Sequence, residues 1–150
     1  MAHQLTLVEF ARIRNNLENH SDTWADLWLL LNLTQARVTQ LLQCSYRDLQ
    51  EDVLVLPAHN VFAEKRIILS PIARVIIGQR RRRYPDDIYL FQSHSPRVRA
   101  IARPVTAIAF NTALKKAARK ITHKTVSSKS ALCIPQAVVY YSLAQAAYLP

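Results

Sequence analysis

The chain has 150 residues, half of them apolar and a fifth charged, with a formal net charge of +10. That length buries a core without disulfides or a structural metal, and the composition excludes a disordered tail, so one folded domain over residues 1–150 is expected. Two cysteines, Cys44 and Cys133, are too few for a zinc site or a disulfide framework, one glycine excludes a glycine-rich phosphate loop, and the histidines lack metal-ligand spacing; no metal and no cofactor is expected.

Thr6 and Glu9 form a capping-box pattern ahead of Leu7, Phe10, Ile13 and Leu17 at helical spacing, which predicts a first helix to about Glu18. Ser21 or Asp22 then caps a second helix through Trp24, Leu27, Trp28, Leu30 and Leu31, too apolar all round for a surface position. Thr34 is read as the cap of a third helix, with Val38, Leu41 and Leu42 inward and Arg37 and Gln40 projecting elsewhere. Ser45 and Asp48 start a further short turn. Val53 to Leu56 and Arg66 to Leu69 are β-type runs that predict adjacent antiparallel strands.

Ser70-Pro71 is a helix start with proline at the first helical position, and the helix should run to Arg80–Arg83, where its dipole favours cations. Ile88 to Phe91 reads as a buried extended piece and Ser93 to Arg103 as a polar, basic loop. After Pro104 a helix is expected with Ile108, Ala109, Leu114 and Ala117 at core spacing and Lys115, Lys116, Arg119 and Lys120 on its surface. Phe91 and Phe110 read as core, His59 and His94 as ordinary loop residues. Val126 to Ser130 is polar, and an alanine-rich helix closes the chain from Gln136 to Leu149.

Charge is distributed unevenly along this sequence. All ten acidic residues lie at or before Asp87, and nine basic residues follow from Arg97 to Lys129. A one-signed stretch inside a domain repels itself, and a polyanion supplies the missing charge; nucleic acid is the first candidate. A membrane surface is disfavoured, because Lys115 to Lys129 lack a Trp/Phe/Leu insertion face, and Leu27 to Leu31 is far shorter than the roughly 20 residues that span a bilayer. No signal-peptide pattern follows Met1, so the expected location is the cytoplasm.

The run Leu33-Thr34-Gln35-Ala36-Arg37-Val38-Thr39-Gln40-Leu41-Leu42, continuing to Asp48 and Leu49, resembles the arginine-bearing segment of the tyrosine recombinase (phage integrase) family. Arg37 falls on the family's first catalytic arginine, with Gln35 and Gln40 in place of its usual glycine and glutamate. The order that follows is also similar: a β hairpin, the step Ile67-Ile68-Leu69-Ser70-Pro71, the stretch Tyr89-Leu90-Phe91-Gln92-Ser93, and Pro104-Val105-Thr106 opening a helix. The resemblance covers about Leu5 to Leu132. It implies a mainly α fold with a small antiparallel β-sheet (α+β), like the recombinase catalytic domain.

The departures fall on the catalytic set. No lysine stands near His59 to Phe62, where the family's hairpin lysine is expected, and the family's His-x-x-Arg aligns with Lys129 and Leu132. Strand cleavage needs two arginines at the phosphate, a general acid for the leaving oxygen and an in-line tyrosine. Tyr140 and Tyr141 follow Leu132 too closely and sit in an apolar run where core packing is the simpler role. The chain also ends near the point where family members continue to a second histidine and their tyrosine. A scaffold without catalysis is therefore expected.

What the resemblance implies is double-stranded DNA as partner, without membrane attachment. Phosphate contacts would fall to Arg37, Arg80, Arg81, Arg82, Arg83, Arg97, Arg99, Lys115, Lys116, Arg119, Lys120 and Lys129, and base contacts to Arg103, Thr106, Ala107 and Asn111. The expected function is sequence-specific DNA binding, as a transcriptional regulator or accessory factor of a mobile element or plasmid in a bacterial nucleoid. Two alternatives stand beside it. One is a minimal active recombinase using Arg37 and Tyr140 or Tyr141; the other is an interaction module that forms homo-oligomers through the carboxyl-terminal helix.

Overall fold

A computed structural model describes residues 4–95 and 101–145. In chain order it contains α1 (Leu7–His20), α2 (Asp22–Thr34), α3 (Val38–Leu42), a 3-10 turn (Tyr46–Asp48), β1 (Leu49–Gln50), β2 (Val53–Leu56) and β3 (Lys65–Ile68). Then follow α4 (Pro71–Arg83), α5 (Ala107–Ala118), a second 3-10 segment (Ser128–Cys133) and α6 (Gln136–Gln145). The architecture is mainly α with one small antiparallel sheet, as the sequence predicts.

The α1 capping box forms in both directions: Thr6 Oγ1 accepts from Glu9 N at 3.1 Å and Glu9 Oε1 accepts from Thr6 N at 2.9 Å. Ser21 caps α2, and Ser70 caps α4 with Pro71 in the first turn. Such caps satisfy amide groups that a helix leaves open, and each contributes about 1 kcal/mol. Ser45 and Asp48 close a capping box on the first 3-10 turn.

The centre of the molecule is α2, whose residues Leu27 to Thr34 are all buried. It packs against α1, α4, α6 and the second 3-10 segment. Trp28 is fully buried, stacks on Phe10 with ring centroids 4.8 Å apart, and donates its indole N–H to the Phe10 carbonyl at 3.1 Å. A buried Trp thus gains both area and a partner for its one polar atom. Asn32, also buried, donates to the carbonyls of Ala131 and Ile134, which fastens the second 3-10 segment to the core helix.

α2 stops at Thr34, not before it. Gln35 takes a left-handed conformation (φ 53°), and the Thr34 hydroxyl donates to the Leu30 carbonyl at 2.6 Å. The third helix accordingly begins at Val38 with Arg37 as its cap residue, which corrects the assignment of Thr34 as that cap. Gln35 occupies the position where the resembling family has glycine, and its backbone has the geometry that glycine serves. Gln40 does not project outward either: it is buried and donates to the carbonyls of Pro57 and Ala63.

The strands order β1-β2-β3, with Leu54 opposite both Leu49 and Ile67. Alternation buries Leu54 and Leu56 of β2 and leaves Ile68 of β3 exposed. Between β2 and β3 the chain makes a tight turn in which His59 and Phe62 exchange both backbone hydrogen bonds at 2.9 Å, with Asn60 left-handed (φ 53°). The two donors of Gln40 grip both ends of this connection, so a helix side chain fixes where the turn stands.

α5 runs from Ala107, with Phe110, Leu114, Ala117 and Ala118 buried. Ile108 and Ala109, expected in the core, are exposed; the inward face is set one residue further on by Phe110. Phe91 and Phe110 are core residues as predicted. Ile88, expected to be buried, is 53% exposed, while Leu90 and Phe91 fill that role. Tyr140 packs against the core, but Tyr141 is 68% exposed on α6, so core packing accounts for one of the two tyrosines. Among the described residues no helix is long and apolar enough to cross a membrane.

Candidate nucleic-acid interface

Among the described residues two groups of cations stand at opposite ends of α2, and a third runs along α5. α2 spans 13 residues, so its ends lie about 18 Å apart at ~1.5 Å per residue.

At the amino-terminal end sits Arg80, predicted as a phosphate ligand. It is 2% exposed. Its Nη1 meets Asp26 Oδ2 at 3.1 Å and Asp22 Oδ2 at 3.3 Å, Nη2 donates to Thr23 Oγ1 at 3.1 Å, and Nε donates to the Leu90 carbonyl at 2.7 Å. Every nitrogen of the guanidinium is engaged, and the group lies against the rings of Phe91 and Tyr84. Arg80 is therefore an internal ion-pair residue that no phosphate can reach, which removes it from the predicted contact set.

The same carboxylates govern its neighbours. Burial raises Asp26 above the ordinary aspartate range, with the Arg80 charge offsetting only part of the effect. Burial also acts on Asp22, but the Tyr84 hydroxyl together with Arg80 and Arg83 outweighs it and holds Asp22 below that range. Arg83 is exposed yet pairs with Asp22 at 3.1 Å. Arg81 is exposed and lies over the Tyr46 ring at 5.2 Å. Arg82 is exposed and lines, with Arg14, Glu18, Asp22, Asp26, Gln79, Arg80 and Arg83, a cleft of about 510 Å³. Three carboxylates share that cleft, so the arginine run serves a mixed-charge surface. His94, read as an ordinary loop residue, is tied here as well, bonded to Asp87 at 2.8 Å and stacked on Tyr84.

At the carboxyl-terminal end of α2 the arrangement differs. Arg37, Val38, Thr39, Phe62, Ser128, Lys129 and Leu132 line one cleft of about 530 Å³. Arg37 is exposed, with its guanidinium carbon 3.9 Å from the centre of the Phe62 ring. Lys129 is exposed on the second 3-10 segment. Among the described residues no carboxylate pairs with either cation. Arg37, Phe62, Lys129 and Leu132 are far apart in sequence, and the fold brings them to one cleft.

α5 borders this cleft through Asn111, whose Oδ1 accepts from Ser128 N at 2.9 Å. That bond takes one of the two lone pairs of Oδ1 and links α5 to the cleft. Thr106 is similarly engaged: it is the cap of α5, and its hydroxyl accepts from Ala109 N at 3.1 Å. Ala107 is half-buried against the core, and Arg103 is exposed. Lys115, Lys116, Arg119 and Lys120 are all exposed along and just beyond α5. Arg97 and Arg99 lie outside the described residues.

Side chains that sequence reasoning missed are Phe62, which carries the Arg37 guanidinium, Gln40, which positions the turn bearing Phe62, and Ile108, which is 82% exposed on the first turn of α5. A signal existed for the Arg80 cluster: Asp22 and Asp26 stand one helical turn apart at the start of a mostly apolar helix, a pattern that calls for a cation opposite.

Thr39 and Ser128 supply the hydroxyl groups among the residues that line the cleft. Cys44 is buried, and that burial, with Asp48 nearby, pushes its thiol up to about 12. Tyr140 and Tyr141 lie on α6 and do not line the cleft. Among the described residues no group of His, Cys, Asp and Glu could hold a metal ion.

No protein-family model and no curated protein sequence matches the chain. Solved structures do. The chain is similar to lambda integrase residues 75–356, a dimer bound to a COC′ core site, with a TM-score of 0.72 and 13% identity over 93% of this chain and 56% of that one. A second lambda integrase dimer bound to a COC′ core site gives 0.72 and 13% over 88% and 39%, and XerA recombinase gives 0.68 and 17% over 98% and 51%. The fold is that of the tyrosine recombinase catalytic domains. The chain spans about half the length of the structures it matches.

Proposed function

We propose that this chain binds double-stranded DNA in a sequence-specific manner, as a regulator or accessory factor, and uses the recombinase-like scaffold for recognition without cutting strands. One observation carries the reading. One cleft holds Arg37, which the resemblance matches to the family's first arginine, together with Lys129 and Leu132, which stand where the resemblance expects a histidine and a second arginine, and no lysine lies near His59 to Phe62. With no tyrosine and no second arginine among the residues that line the cleft, its two cations are suited to hold a phosphate and leave its bonds alone. The core-site complexes of the similar lambda integrase structures and the acid-free sequence after Asp87 support the choice of DNA.

Affinity comes from the exposed cations and direction from the base edges. If Arg37, Lys115, Lys116, Arg119, Lys120 and Lys129 each neutralise one phosphate, log affinity falls against log salt with a slope of about −5. Selection from a random duplex pool, followed by a salt titration on the enriched sequence, tests this; a flat slope refutes it. The exposed Tyr141 is what favours an active enzyme instead. A covalent adduct on a nicked duplex, lost in Tyr141→Phe, would establish that alternative.

A further inference from the structure

The exposed face of α5 combines methyl groups with cations in a fixed order. Ile108, Thr112, Lys115 and Arg119 recur at helical spacing on one side, with Ala109, Lys116 and Lys120 beside them, all exposed. Ile108 is 82% exposed and packs on nothing in the core. The Thr112 hydroxyl donates to the Ile108 carbonyl at 3.0 Å, which leaves its methyl as the group on offer. The first two turns thus display three methyl-bearing side chains and no free carboxylate, and the turns that follow display cations.

Resting on the DNA-binding reading above, we infer that Ile108 is a specificity-determining residue that recognises the 5-methyl group of thymine in the major groove. The groove admits an α-helix, and the thymine methyl is its one apolar landmark. Lys115 and Arg119, two and three turns further along the same face, are spaced to meet the phosphates flanking that contact. A lipid surface suits the face less well, because no aromatic side chain stands beside Ile108 on it. Ile108 is placed ahead of Thr106 and Asn111 as the base reader, since bonds to Ala109 N and Ser128 N hold those two side chains to the protein whereas Ile108 packs on nothing in the core.

The test uses the full chain and the duplex enriched from a random pool, synthesised once with thymine and once with deoxyuridine at every thymine position. Wild type is expected to bind the thymine duplex about fourfold more tightly for each methyl that Ile108 covers, from ~0.8 kcal/mol per buried carbon. Ile108→Ala should bind both duplexes alike, and Ile108→Val should keep part of the difference. Thermal melting of the free variants checks that they fold. Equal wild-type affinity for the two duplexes, or an Ile108→Ala protein that keeps the wild-type ratio, overturns the inference and leaves DNA binding standing. Absence of salt-dependent binding to any duplex overturns the DNA-binding reading and this inference with it.

Discussion

Arg80 and Arg37 are both arginines lying against aromatic rings, at opposite ends of the same helix, yet their surroundings assign them opposite tasks. Arg80 is 2% exposed and spends its donors on Asp22, Asp26, Thr23 and Leu90. Its charge is consumed in holding α4 and the 88–91 segment to α2. Arg37 is exposed, rests on Phe62, and has no carboxylate partner among the described residues. Its charge remains available. A guanidinium is thus structural or functional according to the acids around it, which a count of basic residues along a sequence does not reveal.

Substitutions at the two ends should separate these tasks. Arg80→Ala leaves Asp26 without its cation and Asp22 with only the exposed Arg83, and should cost about 3–5 kcal/mol of folding stability, read from urea unfolding. Arg37→Ala with Lys129→Ala should unfold at nearly the wild-type urea concentration but lose DNA affinity, with the salt slope shallower by about 1.8 for two phosphate contacts. If instead the pair destabilises and Arg80→Ala folds normally, the contrast is inverted.

Gln35 sharpens the boundary between α2 and the cleft. Its left-handed backbone predicts that Gln35→Gly is tolerated within about 1 kcal/mol, whereas β-branched Gln35→Val costs about 2 kcal/mol, again by urea unfolding. A smaller effect belongs to Glu9, whose carboxyl is held down to about 2 by the Lys124 ammonium at 2.7 Å and then by the Thr6 amide. Because the folded value is depressed, this contribution is present above about 4.5 and is lost as pH falls from there toward 2. Glu9→Gln should flatten that part of the acid-unfolding curve, by about 1 kcal/mol at most.

Helices with a local signal were legible in the sequence. The Thr6/Glu9 box, the Ser70-Pro71 start and the β-type run Val53 to Leu56 are short-range features, and the structure reproduces them. Arg37 and Lys129 were singled out through the resemblance, and the fold brings them to one cleft. What sequence reading missed depends on contacts between distant segments: Arg80 meets residues 54 to 58 positions away, Gln40 reaches 17 and 23 positions forward, and Asn111 bonds 17 positions on. On α5 the reading of Phe110, Leu114 and Ala117 as inward holds, whereas Ile108 and Ala109, equally apolar, are turned outward by tertiary packing.

Gln40 has a mechanical consequence. Its amide clasps the connection between β2 and β3 at Pro57 and at Ala63, and the residues between them fold back through the paired His59 and Phe62. The protruding Val61, 90% exposed, therefore sits at the tip of a stiff prong and not on a slack strap. A binding partner approaching that side would have to shape itself to the prong, because moving it means first undoing two hydrogen bonds anchored inside the protein.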